Sequence, residues 1–208
     1  MRDGKTMKIV ALGDSLTVGE PGSEVYGLVE PVSYPEYLES LAQEYLRSHA
    51  LPGEVEIVNK GVSGDLTSGM LERFSEDVVD EKADCVIVLG GTNDIGWGLD
   101  PAAITHNLTI MYDQAMDQGI VPVACSVPSI LGLDELIPPR ISLNRMISTE
   151  AEKRKVAFVD VFAATADRET KRLIEEYSAD GLHLTPKGYQ QIGRCIFDKW
   201  LAALLGHA

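Results

Sequence analysis

Lys8-Ile9-Val10-Ala11-Leu12-Gly13-Asp14-Ser15-Leu16 passes from a mostly apolar run straight into a glycine, an aspartate and a serine. A short apolar run closed by glycine reads as a buried strand, and Asp or Ser just beyond it reads as the entry to a helix. The block therefore predicts a strand whose C-terminal end carries Ser15 on a tight strand-to-helix turn. Working outward, apolar runs at 55–59, 85–89, 121–126 and 157–160 join 8–12 as strand candidates, with windows of helical period between them. Five strands separated by helices predict a parallel, doubly wound sheet in a three-layer α/β/α sandwich.

The helices carry their own punctuation. Tyr34, Tyr37, Leu38, Leu41, Ala42 and Tyr45 recur at helical spacing after Ser33, and Glu36 completes a capping box. Asp100-Pro101 opens a second helix with Ile104, Leu108, Met111, Tyr112 and Ala115 on one stripe, ending at Gly119. Thr185-Pro186 opens the last, with the stripe Tyr189, Ile192, Ile196, Phe197, Trp200 and Leu204. These aromatics and methionines read as core. Two stretches, 19–32 and 128–139, resist periodic assignment; both follow strand ends, on the edge where open parallel sheets bind ligands, and are expected either as substrate walls or as plain surface loops.

The 208 residues fit one domain, 1–208, large enough to bury a core without staples. A formal net charge of -14 opposes the wrapping of a polyanion, so nucleic acid is not an expected partner. Cys85, Cys125 and Cys195 are odd in number and widely spaced, and read as free thiols. No apolar run approaches the roughly 18 residues of a membrane span, and the N-terminal apolar run is too short for a signal segment; a cytoplasmic location is the expectation.

Ser15 has the setting of a nucleophile, a hydroxyl presented where backbone N–H groups can face an oxyanion. Alone, Gly-Asp-Ser reads equally as an ordinary turn. Of the four histidines, His49, His106, His183 and His207, only His183 has a carboxylate at i−3 across a glycine, in Asp180-Gly181-Leu182-His183. That spacing lets Asp180 accept from one ring nitrogen while the other faces outward, as a general base requires. Two more strand ends carry glycine-rich turns that offer oxyanion donors, Lys60-Gly61-Val62-Ser63-Gly64-Asp65 and Gly90-Gly91-Thr92-Asn93-Asp94.

These blocks, in this order, resemble the GDSL family of esterases and lipases, also called SGNH hydrolases, over nearly the whole chain. The resemblance implies a flavodoxin-like sandwich and a serine esterase that forms an acyl-enzyme on Ser15, with His183 as base and Asp180 as orienting acid. It further implies an oxyanion hole of the Ser15 N–H, the Gly61 N–H and the Asn93 side chain, with substrate contacts at Asp14, Leu16, Asp94 and Leu182. No cofactor and no metal are expected. Leu16, Val18, Val25, Tyr26, Leu28, Ile130, Leu131 and Leu133 are candidates to line an acyl groove for a small-molecule ester. A thioesterase, a sugar acetylesterase or an acyltransferase would use the same triad. A non-catalytic binding module and a phosphate binder are the readings from other classes; the first loop lacks the Gly-x-Gly-x-x-Gly pattern that the latter needs.

Overall fold

The computed structural model describes residues 6–19 and 33–206. Strand β1 (Thr6–Gly13) lies between β2 (Glu54–Gly61) and β3 (Cys85–Leu89), with β4 (Val121–Cys125) and β5 (Ala157–Val159) beyond β3. All pairs are parallel and the order is β2-β1-β3-β4-β5. The chain steps outward from β1 to β2 and then returns to β3, so the β1/β3 border is where the winding reverses and a crevice opens beyond the strand ends.

Side chains alternate across this sheet as the two-residue strand period demands. Ile9 and Ala11 of β1, with Cys85, Ile87 and Leu89 of β3, enter one core; Val10, Leu12, Val86 and Val88 enter the other. Helix α1 (Ser15–Val18) is a single turn after β1. Helix α2 (Tyr34–Ser48) covers the first face, its entry fixed by the Ser33–Glu36 capping box. Helices α3 (Thr67–Glu72), α4 (Thr92–Gly96), α5 (Pro101–Asp117) and α6 (Ile137–Arg154) contribute to the second core. After the short α7 (Val161–Thr165), α8 (Pro186–Ile196) runs through a π-helical turn, Phe197–Leu201, into α9 (Ala202–Gly206) and closes the first face beside α2. Tyr189, Ile192, Ile196, Phe197 and Trp200 are buried there, and Leu204 packs against them partly buried. Each fully buried side chain of this kind stabilises the fold by roughly 1.5–3 kcal/mol.

Several expectations need adjusting. β4 ends one residue early, at Cys125, because the Ser126 hydroxyl donates to Asp160 Oδ1 and accepts from the Phe162 N–H. Asp160 likewise leaves β5 and caps α7, accepting from the Ala163 N–H. The stretch 128–139 is not a loop throughout: α6 begins at Ile137, with Pro138 and Pro139 in a first turn whose N–H groups have no helical partners anyway. Cys85, Cys125 and Cys195 are free thiols. Residues 20–32, including Val25, Tyr26 and Leu28, and the terminal His207 lie outside the described residues.

Candidate active site

Gly13 ends β1 where no larger residue fits, since a Cβ there would lie 2.1 Å from Thr17 Oγ1 and 2.5 Å from the Leu89 carbonyl oxygen. Asp14 caps α1 by accepting the Leu16 N–H on Oδ1 at 2.9 Å, and Gly19, at φ 98°, closes the turn onto the Ser15 carbonyl. Ser15 is thus held as the first residue of α1, and its own N–H, a first-turn amide, is not used by the helix.

The loop before α8 brings up His183. Asp180 Oδ1 accepts the backbone N–H groups of Leu182 and His183, at 2.9 and 2.7 Å, which folds the i−3 loop tightly around its carboxylate. Gly181 sits at φ 100°, with its carbonyl accepting from the Leu131 N–H at 2.8 Å, so the loop is docked on the chain that follows β4. His183 Nδ1 lies 2.7 Å from Asp180 Oδ2 and Nε2 lies 3.1 Å from Ser15 Oγ. A carboxylate only accepts, so the ring proton belongs on Nδ1 and the Nε2 lone pair faces the serine hydroxyl. Burial pushes the Asp180 carboxyl up, but the hydrogen bonds from the His183 ring, the His183 N–H and the Leu182 N–H outweigh it and hold the group below its ordinary value. His183 and Asp180 keep 25% and 48% of their side-chain surface, so the imidazole is reachable from solvent. Among the other described histidines, His49 stacks on Tyr45 and His106 is exposed on α5.

The neighbouring loops are tied to one another. Asn93 Nδ2 donates to the Asp65 carbonyl at 2.8 Å, which uses one of its two N–H groups. Arg73 Nη2 and Nη1 donate to the carbonyls of Gly13 and Lys60, and its Nε pairs with Asp65, binding the β1 and β2 ends together. Gly61 departs from expectation: its N–H donates to Asn59 Oδ1 at 2.9 Å, and its α-carbon packs so closely on α1 that a Cβ would meet the Val18 nitrogen at 2.4 Å. That amide is already engaged. Gly64, three residues on, has φ 78°, open space at its α-carbon, and an N–H without a partner among the described residues. Its signal in the sequence is Ser63-Gly64-Asp65, a turn sequence just past the strand.

Three expected substrate contacts are also buried elsewhere. Leu16 is 1% exposed and belongs to the first core, Asp14 is fully buried as the α1 cap, and Asp94 is 1% exposed with its carboxylate taken by the Thr67 N–H and hydroxyl. Asp14 Oδ2 has no partner among the described residues, and burial drives its carboxyl from an ordinary 3.8 up to about 7, against the lowering effect of the Leu16 N–H. Leu182, Ile130 and Leu133 do line a cavity of about 330 Å³, together with Thr92, Asn93, Gly96, Trp97, Leu136 and Arg140. Leu131 is partly buried against the first core instead. Trp97, 78% exposed, stands on this cavity's wall, and no periodic pattern had singled it out. Among the described residues no group of His, Cys, Asp and Glu is arranged to hold a metal ion, and no helix is long and apolar enough to cross a membrane.

Residues 11–191 match the family model described as GDSL-like Lipase/Acylhydrolase family. The chain is 32% identical over 127 residues to an arylesterase of Vibrio mimicus, a match that spans 60% of this chain and 58% of that protein. It is 26% identical over 184 residues to an acetylxylan esterase of Geobacillus stearothermophilus, spanning 79% of this chain and 80% of that one. Among solved structures, the lipase/acylhydrolase from Enterococcus faecalis superposes with a TM-score of 0.72 at 26% identity, covering 97% of this chain and 96% of that chain.

Proposed function

Since this chain belongs to the GDSL-like lipase/acylhydrolase family, we propose that it is a serine esterase that hydrolyses small carboxylic esters through an acyl-enzyme on Ser15. The observation that carries this reading is the continuous hydrogen-bonded line from Asp180 through both nitrogens of His183 to Ser15 Oγ, 2.7 and 3.1 Å. His183 Nε2 takes the Ser15 proton as Oγ bonds to the ester carbonyl carbon. The tetrahedral intermediate then collapses, its C–O bond to the alcohol breaks, and the same proton passes to the leaving oxygen. Water, deprotonated by His183, cleaves the acyl-enzyme in the reverse sense. Asp180 stays ionised throughout and keeps the ring in the tautomer that leaves Nε2 free.

For the oxyanion, we assign the Ser15 N–H, the second N–H of Asn93 Nδ2 and the N–H of Gly64, each unused among the described residues. Gly64 takes the part expected of Gly61, whose amide is committed to Asn59. The exposed ring of Trp97 on the cavity wall favours substrates that present a ring face, the π face of an aryl group or the C–H face of a sugar, in keeping with the arylesterase and acetylxylan esterase relatives.

The test is turnover of 4-nitrophenyl esters from acetate to palmitate by the wild type and Ser15→Ala. Wild-type turnover lost in the variant, with an unchanged circular dichroism spectrum, supports the assignment; equal activity in both proteins overturns it. If both are inactive on the whole series but the wild type releases acetate from acetylated xylan, the sugar-ester reading takes its place.

A further inference from the structure

Arg140, on the first turns of α6, heads the largest fully buried side chains, at 1% exposure. A guanidinium carries five N–H donors and no acceptor, and a buried one is costly unless those donors are used. Among the described residues one hydrogen bond is present, from Nη1 to the Leu136 carbonyl at 3.2 Å, while the buried Nε has no partner. No carboxylate among the described residues forms an ion pair with Arg140; Asp14 attracts it only through space. Burial draws the guanidinium down to about 10, which still leaves it charged at neutral pH.

Its position gives this unused capacity a purpose. Arg140 lines the same 330 Å³ cavity as Asn93, whose wall is otherwise apolar at Trp97, Ile130, Leu133 and Leu182. Thr92, also on that wall, has a buried hydroxyl without a partner among the described residues. Two side chains with unused hydrogen-bonding capacity thus stand in the wall of one small, mostly apolar cavity that Asn93 also lines, with the unpartnered Nε and Oγ1 themselves covered. Asn93 and Leu182, the neighbour of His183, link this cavity to the Ser15–His183 pair.

We infer that this cavity selects esters bearing a carboxylate, held by the Arg140 guanidinium with the Thr92 hydroxyl as a second donor. A carboxylate rather than a more highly charged anion is indicated, because one cation lines the cavity and the planar fork of arginine matches a carboxylate in a bidentate pair. The formal net charge of -14 weighs further against polyanionic substrates. The inference rests on the esterase reading above. It deepens that reading by naming the substrate class, and the carboxylate can sit on the acyl half or on the alcohol half of the ester.

Two matched pairs separate these sources: 4-nitrophenyl hydrogen glutarate against 4-nitrophenyl pentanoate, and 4-acetoxybenzoate against 4-acetoxybenzamide. The expected result is that the wild type prefers the charged member of one pair by about tenfold or more in kcat/KM, which also assigns the half. That ratio should collapse in Arg140→Met and be partly kept in Arg140→Lys. A merely structural arginine lowers both members alike and leaves the ratio unmoved, and that outcome overturns the inference, as does a wild type with no preference in either pair. Calorimetric titration of Ser15→Ala with 4-nitrophenyl hydrogen glutarate and with 4-acetoxybenzoate, with and without Arg140→Met, reads the contact without turnover. A failed esterase reading is therefore distinguishable from a failed Arg140 contact.

Discussion

Replacing Asp14 by Asn should remove one loss of stability that accompanies rising pH. The carboxyl is fully buried, and desolvation, opposed by the Leu16 N–H and assisted by the nearby Asp94, lifts it from 3.8 to about 7. A raised carboxyl makes the folded state hold a proton that the unfolded chain has lost. Its contribution is therefore complete below pH 3.8, declines as pH rises, and is gone above about 7. The shift is about 3 units, and at about 1.36 kcal/mol per unit the full window is worth at most about 4 kcal/mol. The amide of the variant retains a side-chain oxygen for the Leu16 N–H but does not titrate, so it lacks this decline. The stability of Asp14→Asn minus that of the wild type should rise between pH 5 and pH 8 by up to about 3 kcal/mol, the part of the window lying between pH 5 and 7. Taking the difference cancels every titration the two proteins share. Urea unfolding followed by tryptophan fluorescence at the two pH values measures it; in thermal melts the gap should move by about 5–10 °C, at about 2–4 °C per kcal/mol for a chain of this size. A difference that stays constant with pH, or that falls at pH 8, refutes the reasoning that Asp14 is held protonated by burial.

Asp180→Asn keeps an acceptor for the Leu182 and His183 N–H groups but no longer fixes the ring tautomer, so kcat should fall by about 10³–10⁴ while the circular dichroism spectrum is unchanged; a loss below about tenfold on 4-nitrophenyl acetate removes Asp180 from the orienting role. The wild-type carboxyl is depressed on folding, so its stabilisation is present above 3.8 and disappears as pH falls through the folded value. That acid-side loss should be missing in urea titrations of the Asn variant between pH 5 and pH 3. Asn93→Ala should lower kcat by about 10²–10³ with little change in KM, as expected for a donor that engages in the transition state. If KM rises instead and kcat holds, Asn93 binds ground-state substrate and the oxyanion assignment is wrong.

What the sequence made legible is what is local along the chain. The β1 strand and the turn that presents Ser15 lie within ten consecutive residues, and the Asp180–His183 pairing is an i,i+3 contact. The capping box at Ser33 and Glu36 and the Asp100-Pro101 helix start are local in the same way. The misreadings concern groups whose partners are distant or whose side chains fold back. Which glycine after β2 has a free amide depends on Asn59, which donates to the Thr17 carbonyl while accepting from the Gly61 N–H, and no count of glycines encodes that choice. Asp94 looked available for substrate until Thr67, 27 residues away, closed on its carboxylate. Pro138 and Pro139 suggested a loop, although the first turn of a helix tolerates them. Arg140 gave no signal, since a charged residue on a helix ordinarily faces water. Its burial follows from packing α6 against the second core, where Leu143, Ile147 and Ala151 lie on the same helix. Ser15 and His183 are 168 residues apart, and the parallel sheet brings them within 3.1 Å by placing β1 at the reversal of the winding, with the Asp180 loop docked beside it. The contact was readable because the family blocks mark each of its ends, whereas the walls between the blocks are built from residues that meet only after the sheet has formed.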